Sequence, residues 1–134
     1  MSTVITYISM LIFFLIVDSI VIIKFMNPMF RSNIGDVMKE DINFAIAGIF
    51  YLFYVVGIYW FGTYTGLKAN SIFIGVASAA FLGLLAYGTY EITNFVVIKG
   101  WTPKMVIIDV IWGGLLSGMT ALVGILVNRL ITNT

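Results

Sequence analysis

The chain has 134 residues, 61% of them hydrophobic and 10% charged, with a net charge of +1 and a mean hydropathy of +1.09. Soluble domains carry about 25% charged residues, so the composition describes an integral membrane protein with almost nothing left over for a soluble domain. The chain has no cysteine and no histidine, which excludes disulfides, thiol chemistry, haem held by His and the usual zinc and copper sites, and its charge, with no basic run, offers no footing for nucleic acid as a partner.

Four apolar stretches are legible, at about 3–25, 42–63, 71–98 and 104–131. Each reaches the ~20 residues that a helical crossing needs. The fold class expected is therefore all-α, an integral membrane four-helix bundle forming a single membrane domain over 1–134. The first stretch lacks a basic N-terminal region and an Ala-x-Ala-like exit, and its apolar run is long for a leader, so it reads as a retained span.

Val21-Ile22-Ile23-Lys24 closes the first span and Pro28 follows; Phe95-Val96-Val97-Ile98-Lys99 closes the third and Pro103 follows. Asn27 and Thr102 precede these two prolines, which suits an N-cap with proline at the first helical position. Two readings stay open: a repeat of two parallel helix hairpins, or two ordinary helix exits. After Pro28, Phe30, Ile34, Val37 and Met38 fall on one helical face, with Arg31, Asp36, Lys39 and Glu40 between them. That pattern predicts a short helix over about 28–40 lying on the membrane interface, as an orienting collar or as a docking surface for a soluble partner.

Residues 64–70 read as a tight outer turn, and the chain frays from Thr132. Lys24, Arg31, Lys39, Lys99 and Lys104 gather on one side of the membrane and only Lys68 and Arg129 on the other. The richer side is expected to be cytoplasmic, which puts both termini on the non-cytoplasmic side.

Asp18, Glu91 and Asp109 interrupt these spans. An acid at the centre of a membrane helix costs about 2.5–3.5 kcal/mol on the insertion scale, so each needs a partner, water or a ligand. Asp18 lies six residues before Lys24, Glu91 eight before Lys99 and Asp109 five after Lys104, which places all three about 7 to 12 Å inside the same face at ~1.5 Å per residue. If the helices form one bundle, the acids can converge on one chamber and share a proton there. For Asp18 the plainer readings are a carboxylate snorkelling to the headgroups or a pair with Lys24.

Ala80, Gly83, Tyr87, Glu91 and Asn94 form one stripe of the third span, and Asp109, Gly113, Ser117, Thr120 and Gly124 one stripe of the fourth. Small residues let two backbones approach, so these two spans should pack with Glu91 and Asp109 at one end of the seam. The second span turns Asn43, Ala47, Tyr51 and Tyr54 to one side, and Tyr7 lies below Asp18 in projection on the first. Trp60, Tyr64 and Trp101 read as interfacial belt residues. The candidate ligand or ion site is Asp18, Glu91, Asn94, Asp109, Tyr87, Tyr54 and Trp112. No cofactor or metal is assigned, because a hard cation on oxygen ligands would need a fixed spacing that is missing. The run Gly113-Gly114-x2-Ser117-Gly118 lies mid-span, where helix packing explains it.

Ala86-Tyr87-Gly88-Thr89-Tyr90-Glu91-Ile92-Thr93-Asn94, then Lys99-Gly100-Trp101, then Asp109-x2-Trp112-Gly113, together resemble a family of small four-span membrane proteins of bacteria and large viruses catalogued as a domain of unknown function. The likeness spans nearly the whole chain and includes an acid in the first span, matched by Asp18, and a Phe-Arg pair matched by Phe30 and Arg31. The family pattern has Asp where this chain has Glu91, and Trp where it has Val21. The resemblance implies the four-span fold and that these polar positions belong together, and it implies no activity.

Three functions are compatible with these features. One is a small transporter or ion or proton conduit with an acidic intramembrane site, which four spans would serve best as a homo-oligomer. A second is a membrane enzyme acting on a lipid or isoprenoid that enters sideways. The third is a lipid- or pigment-binding or assembly subunit whose polar core fixes helix register. Membrane lipid is the partner common to all three.

Overall fold

The computed structural model describes residues 1–39 and 44–132. Among these, four helical segments are long and apolar enough to cross a membrane: Ser2–Val37, Phe44–Ala69, Ile72–Val97 and Pro103–Thr132. The predicted start of the second span at 42, together with Glu40 and Asn43, lies outside the described residues.

The first segment comprises α1 (Ser2–Val21), a π turn (Ile22–Met26), α2 (Asn27–Ile34) and a 3-10 turn (Gly35–Val37). The expected break at Pro28 does not occur. Asn27 is helical (φ −61°, ψ −48°) and caps nothing, and its Oδ1 instead accepts a 2.7 Å bond from Arg31 Nε. The π turn explains this: Asn27 N–H bonds back to the Ile22 carbonyl, so the wider turn lets the chain pass a proline that can neither donate nor tolerate a close carbonyl one turn back. The helical run stops later, near Ile34 (φ −130°, ψ 24°). The collar is thus a continuation of the first span. Ile34 is buried and Phe30 and Met38 pack beside it, while Val37 is exposed.

The second Pro site behaves as predicted. Helix α6 (Pro103–Thr132) begins at the proline, and Thr102 Oγ1 accepts from Met105 N–H at 3.2 Å. The two Pro sites therefore differ in structure, one inside a helix and one at a helix start. This removes the observation on which the hairpin repeat rested.

The second span continues past its predicted end. Helix α3 (Phe44–Ile58) passes through a π turn (Tyr59–Tyr64) into α4 (Thr65–Ala69), so 64–69 are helical and the turn shrinks to Asn70 and Ser71. Asn70 takes the left-handed conformation (φ 51°, ψ 43°), and Ser71 caps α5 (Ile72–Val97) by accepting from Ile74 N–H at 3.1 Å. The helix can run on because Gly66 lies against the Gly75 backbone, where a Cβ would come within 2.8 Å of Gly75 Cα.

Helices α5 and α6 form the most extensive seam, and α1 packs on the other side of α6. The predicted stripes meet in this seam. A Cβ on Gly83 would strike the Gly113 carbonyl and Ser117 Oγ, and one on Gly113 would strike the Tyr87 ring. The half of the bundle away from Lys24 is solid, with Met10, Phe14, Val55, Ile58, Ala79, Leu116 and Ala121 fully buried. Large apolar side chains cover the outer faces, where only lipid would satisfy them.

Gly83→Ala is expected to destabilise the bundle by about 1–3 kcal/mol, because the carbonyl it meets belongs to the backbone and cannot step aside. Gly48→Ala, which meets nothing within 4 Å, should be neutral or stabilise by up to about 1 kcal/mol. Unfolding of both variants in the same lipid or detergent checks the contrast.

Candidate functional site

Thr6, Met10, Phe14 and Asp18 form the buried line of α1. Asp18 sits where that line leaves the solid core. It is only 3% exposed, so it neither snorkels nor reaches the exposed Lys24. Its Oδ1 accepts from Trp112 Nε1–H at 3.0 Å, and the Tyr51 hydroxyl reaches the same carboxylate. An indole therefore does stand beside Asp18 although position 21 is Val. It comes from α6.

Glu91, on α5, is 0% exposed, and its Oε1 accepts from Trp101 Nε1–H at 2.8 Å. Trp101 is 8% exposed, not a belt residue as expected. The loop that carries it turns at Gly100 (φ 87°), whose missing side chain leaves room for the Asn33 carbonyl. Phe30 and Tyr90 meet the indole edge-to-face at 5.2 and 5.9 Å, and Ile34 and Met105 complete its pocket. Trp60 and Tyr64, by contrast, are exposed and stacked on each other, as belt residues would be.

Glu91 Oε2 is buried without a donor among the described residues. Asp109, 9% exposed, lies close enough to both Glu91 and Asp18 for their charges to interact.

A cavity of about 530 Å³ opens beside these acids, with Asp18 and Asp109 on its wall. Tyr51 and Tyr54 face it from α3, and Tyr87 and Tyr90 from α5. Ile22, Met26, Asn27, Phe30 and Met38 close the Lys24 end. The Tyr54 hydroxyl is tied to Ser117 Oγ at 2.7 Å, and Tyr51 and Tyr54 both meet Phe14 edge-on at 5.3 and 5.7 Å. These contacts hold the rings upright as walls. Phe50 and Tyr90, 61% and 54% exposed, stand on the rim. Phe50 belongs to α3 and Tyr90 to α5, so this rim lies between those two helices.

Of the residues singled out from sequence, Asp18, Asp109, Tyr54 and Tyr87 line the cavity. Glu91 lies behind Asp109, Trp112 stands behind Asp18, and Asn94 is off the wall. Tyr7 is not at the site, since its hydroxyl donates to the Leu52 carbonyl at 2.6 Å. Trp101, Tyr90 and Phe50 were missed. Tyr51 was legible as a neighbour of Tyr54 on one face, whereas a Trp after Lys-Gly at a helix exit looks the same as any interfacial Trp. No three acids among the described residues come close enough together to hold a metal ion.

A family model described as "Predicted membrane protein (DUF2177)" matches residues 3–126, and the chain belongs to that family. No curated protein and no solved structure matches it.

Trp112→Phe and Trp101→Phe each remove a donor from a buried carboxyl and should each destabilise by about 1–3 kcal/mol. In an Asp18→Asn background the Trp112→Phe cost should shrink while the Trp101→Phe cost persists. A double-mutant cycle read by reversible unfolding distinguishes the two linkages.

Proposed function

We propose that this member of the family is a small transporter whose acid-walled chamber binds a solute and exchanges it for a proton. The observation that supports this reading is the chamber itself: Asp18 and Asp109 on the wall of a 530 Å³ cavity, with Glu91 in contact with Asp109 behind it. Acids held in such a position are the usual coupling groups of membrane transport. Exchange requires solute and proton to compete for these acids, so that binding of one releases the other.

The opposite half of the bundle is closed by Met10, Phe14, Val55, Ile58 and Leu116. Passage therefore requires these residues to repack, and four helices leave little room for that within one chain. A homo-oligomer supplies the second wall. The same reading takes the Lys24 end as cytoplasmic and both termini as non-cytoplasmic, by the positive-inside rule.

The rim formed by Phe50 and Tyr90 favours a second reading, in which a lipid or isoprenoid enters from the bilayer and the acids bind or act on its headgroup. Comparing the lipids of cells with and without the protein tests it, and an unchanged profile counts against it.

Vesicles containing the protein, loaded with a low-molecular-weight extract of the expressing cells and given an inward proton gradient, should acidify faster than empty vesicles. Asp109→Asn and Glu91→Gln should abolish the excess, and Trp60→Phe should keep it. An internal pH dye reads the rate, and equal rates in wild type and Asp109→Asn would end the transport reading. For topology, a reporter that fluoresces only in the cytoplasm should stay dark when fused to either terminus.

A further inference from the structure

We infer that the ligand of this chamber is a lipophilic organic cation, an amine or onium group on an apolar body. The inference rests on the chamber being a binding site, and it follows from what the walls offer and what they lack. The volume, about 530 Å³, falls within the ~300–1,000 Å³ typical of sites for small organic molecules and is far larger than a bare ion or a proton needs.

Two acids lie on the wall, and no lysine or arginine lines it among the described residues. Behind Asp109, Glu91 keeps an oxygen with no donor in a fully buried position. The hydrogen bonds that reach the acids come from Trp112 and Trp101, which are neutral donors. The cluster thus has neutral donors for some of its lone pairs and, among the described residues, no cation on the chamber wall to balance its charge. An anion would be repelled, and a neutral lipid would leave that need unmet.

Apart from Asn27, the remaining wall is aromatic and apolar, with four tyrosines and two phenylalanines. Ring faces attract a cation and pack an apolar body equally well. Phe50 and Tyr54 are stacked at 6.3 Å with 14° between their planes, and Tyr87 tilts against Tyr54 at 6.2 Å. One continuous aromatic surface therefore runs from the rim to the acids. A cation that partitions into the bilayer would meet Phe50 first and reach Asp18 and Asp109 without leaving a ring face.

Tetraphenylphosphonium and tetraphenylborate share a shape and differ in the sign of their charge, which makes them suitable probes. Equilibrium binding to the protein in lipid nanodiscs, with empty nanodiscs subtracted, should show saturable uptake of the phosphonium and none of the borate. Asp109→Asn should weaken the phosphonium by about tenfold or more. Phe50→Leu, on the exposed rim, should weaken it about threefold to tenfold and leave the unfolding temperature unchanged. If Asp109→Asn does not fold, Phe50→Leu and the comparison with the borate still decide the matter. Equal uptake of both ions, or phosphonium binding indifferent to these substitutions, would overturn the cation assignment. If the phosphonium fails to bind while extract-dependent acidification is still lost in Asp109→Asn, the transport reading stands and only the ligand class falls.

Discussion

Three carboxyl groups have to be satisfied inside an apolar bundle, and the rest of the architecture follows from that requirement. A carboxylate removed from water loses several kcal/mol of hydration unless donors replace it. Trp112, far along the chain on α6, donates to Asp18 on α1, and Trp101 donates to Glu91 from the loop ten residues further on. The first bond fixes the rotation of α1 against α6, and the second folds the loop between α5 and α6 onto α5. Apolar packing alone does this poorly in a membrane, because the surrounding lipid is as apolar as the helix faces.

Close approach of backbones makes those bonds geometrically available. Gly83 against the Gly113 carbonyl, and Gly113 beneath the Tyr87 ring, bring α5 and α6 near enough for Asp109 to touch Glu91. The same device recurs at the opposite end, where Gly62 and Gly66 seat the second span on Gly75. Between these contacts α3 carries large aromatic side chains in place of glycines facing the seam. The bundle is solid where side chains are small or interlock and hollow where Tyr51, Tyr54 and Tyr87 prop the helices apart.

Two π turns adjust this arrangement. The first, Ile22–Met26, lets the helix continue past Pro28, so that α2 lines the cavity with Asn27 and Phe30 while its Ile34 helps to bury Trp101. The second, Tyr59–Tyr64, includes Gly62 and Thr63, whose hydroxyl donates to the Ala121 carbonyl at 3.0 Å. A widened turn redirects side chains without ending the helix. Here it gives a chain of four spans a roof over its chamber without a separate domain.

The membrane class, the four spans, the acids at a common depth and the glycine stripes of the third and fourth spans are all legible in the sequence. Each depends on hydropathy or on helical periodicity, which are local properties. Three features were decided only by tertiary contacts. Asn27 followed by Pro28 has the composition of a helix start, yet the preceding π turn carries the helix through it. Residues 64–70 read as a tight outer turn, whereas the close approach of Gly66 to Gly75 permits the helix to extend through Ala69. Trp101 has the surroundings of a belt residue, and it became the donor to Glu91 because Gly100 and Ile34 fold it inward. Burial and hydrogen-bond partners depend on how helices rotate against one another, and that rotation is set by the packing of all four together, not by any one span.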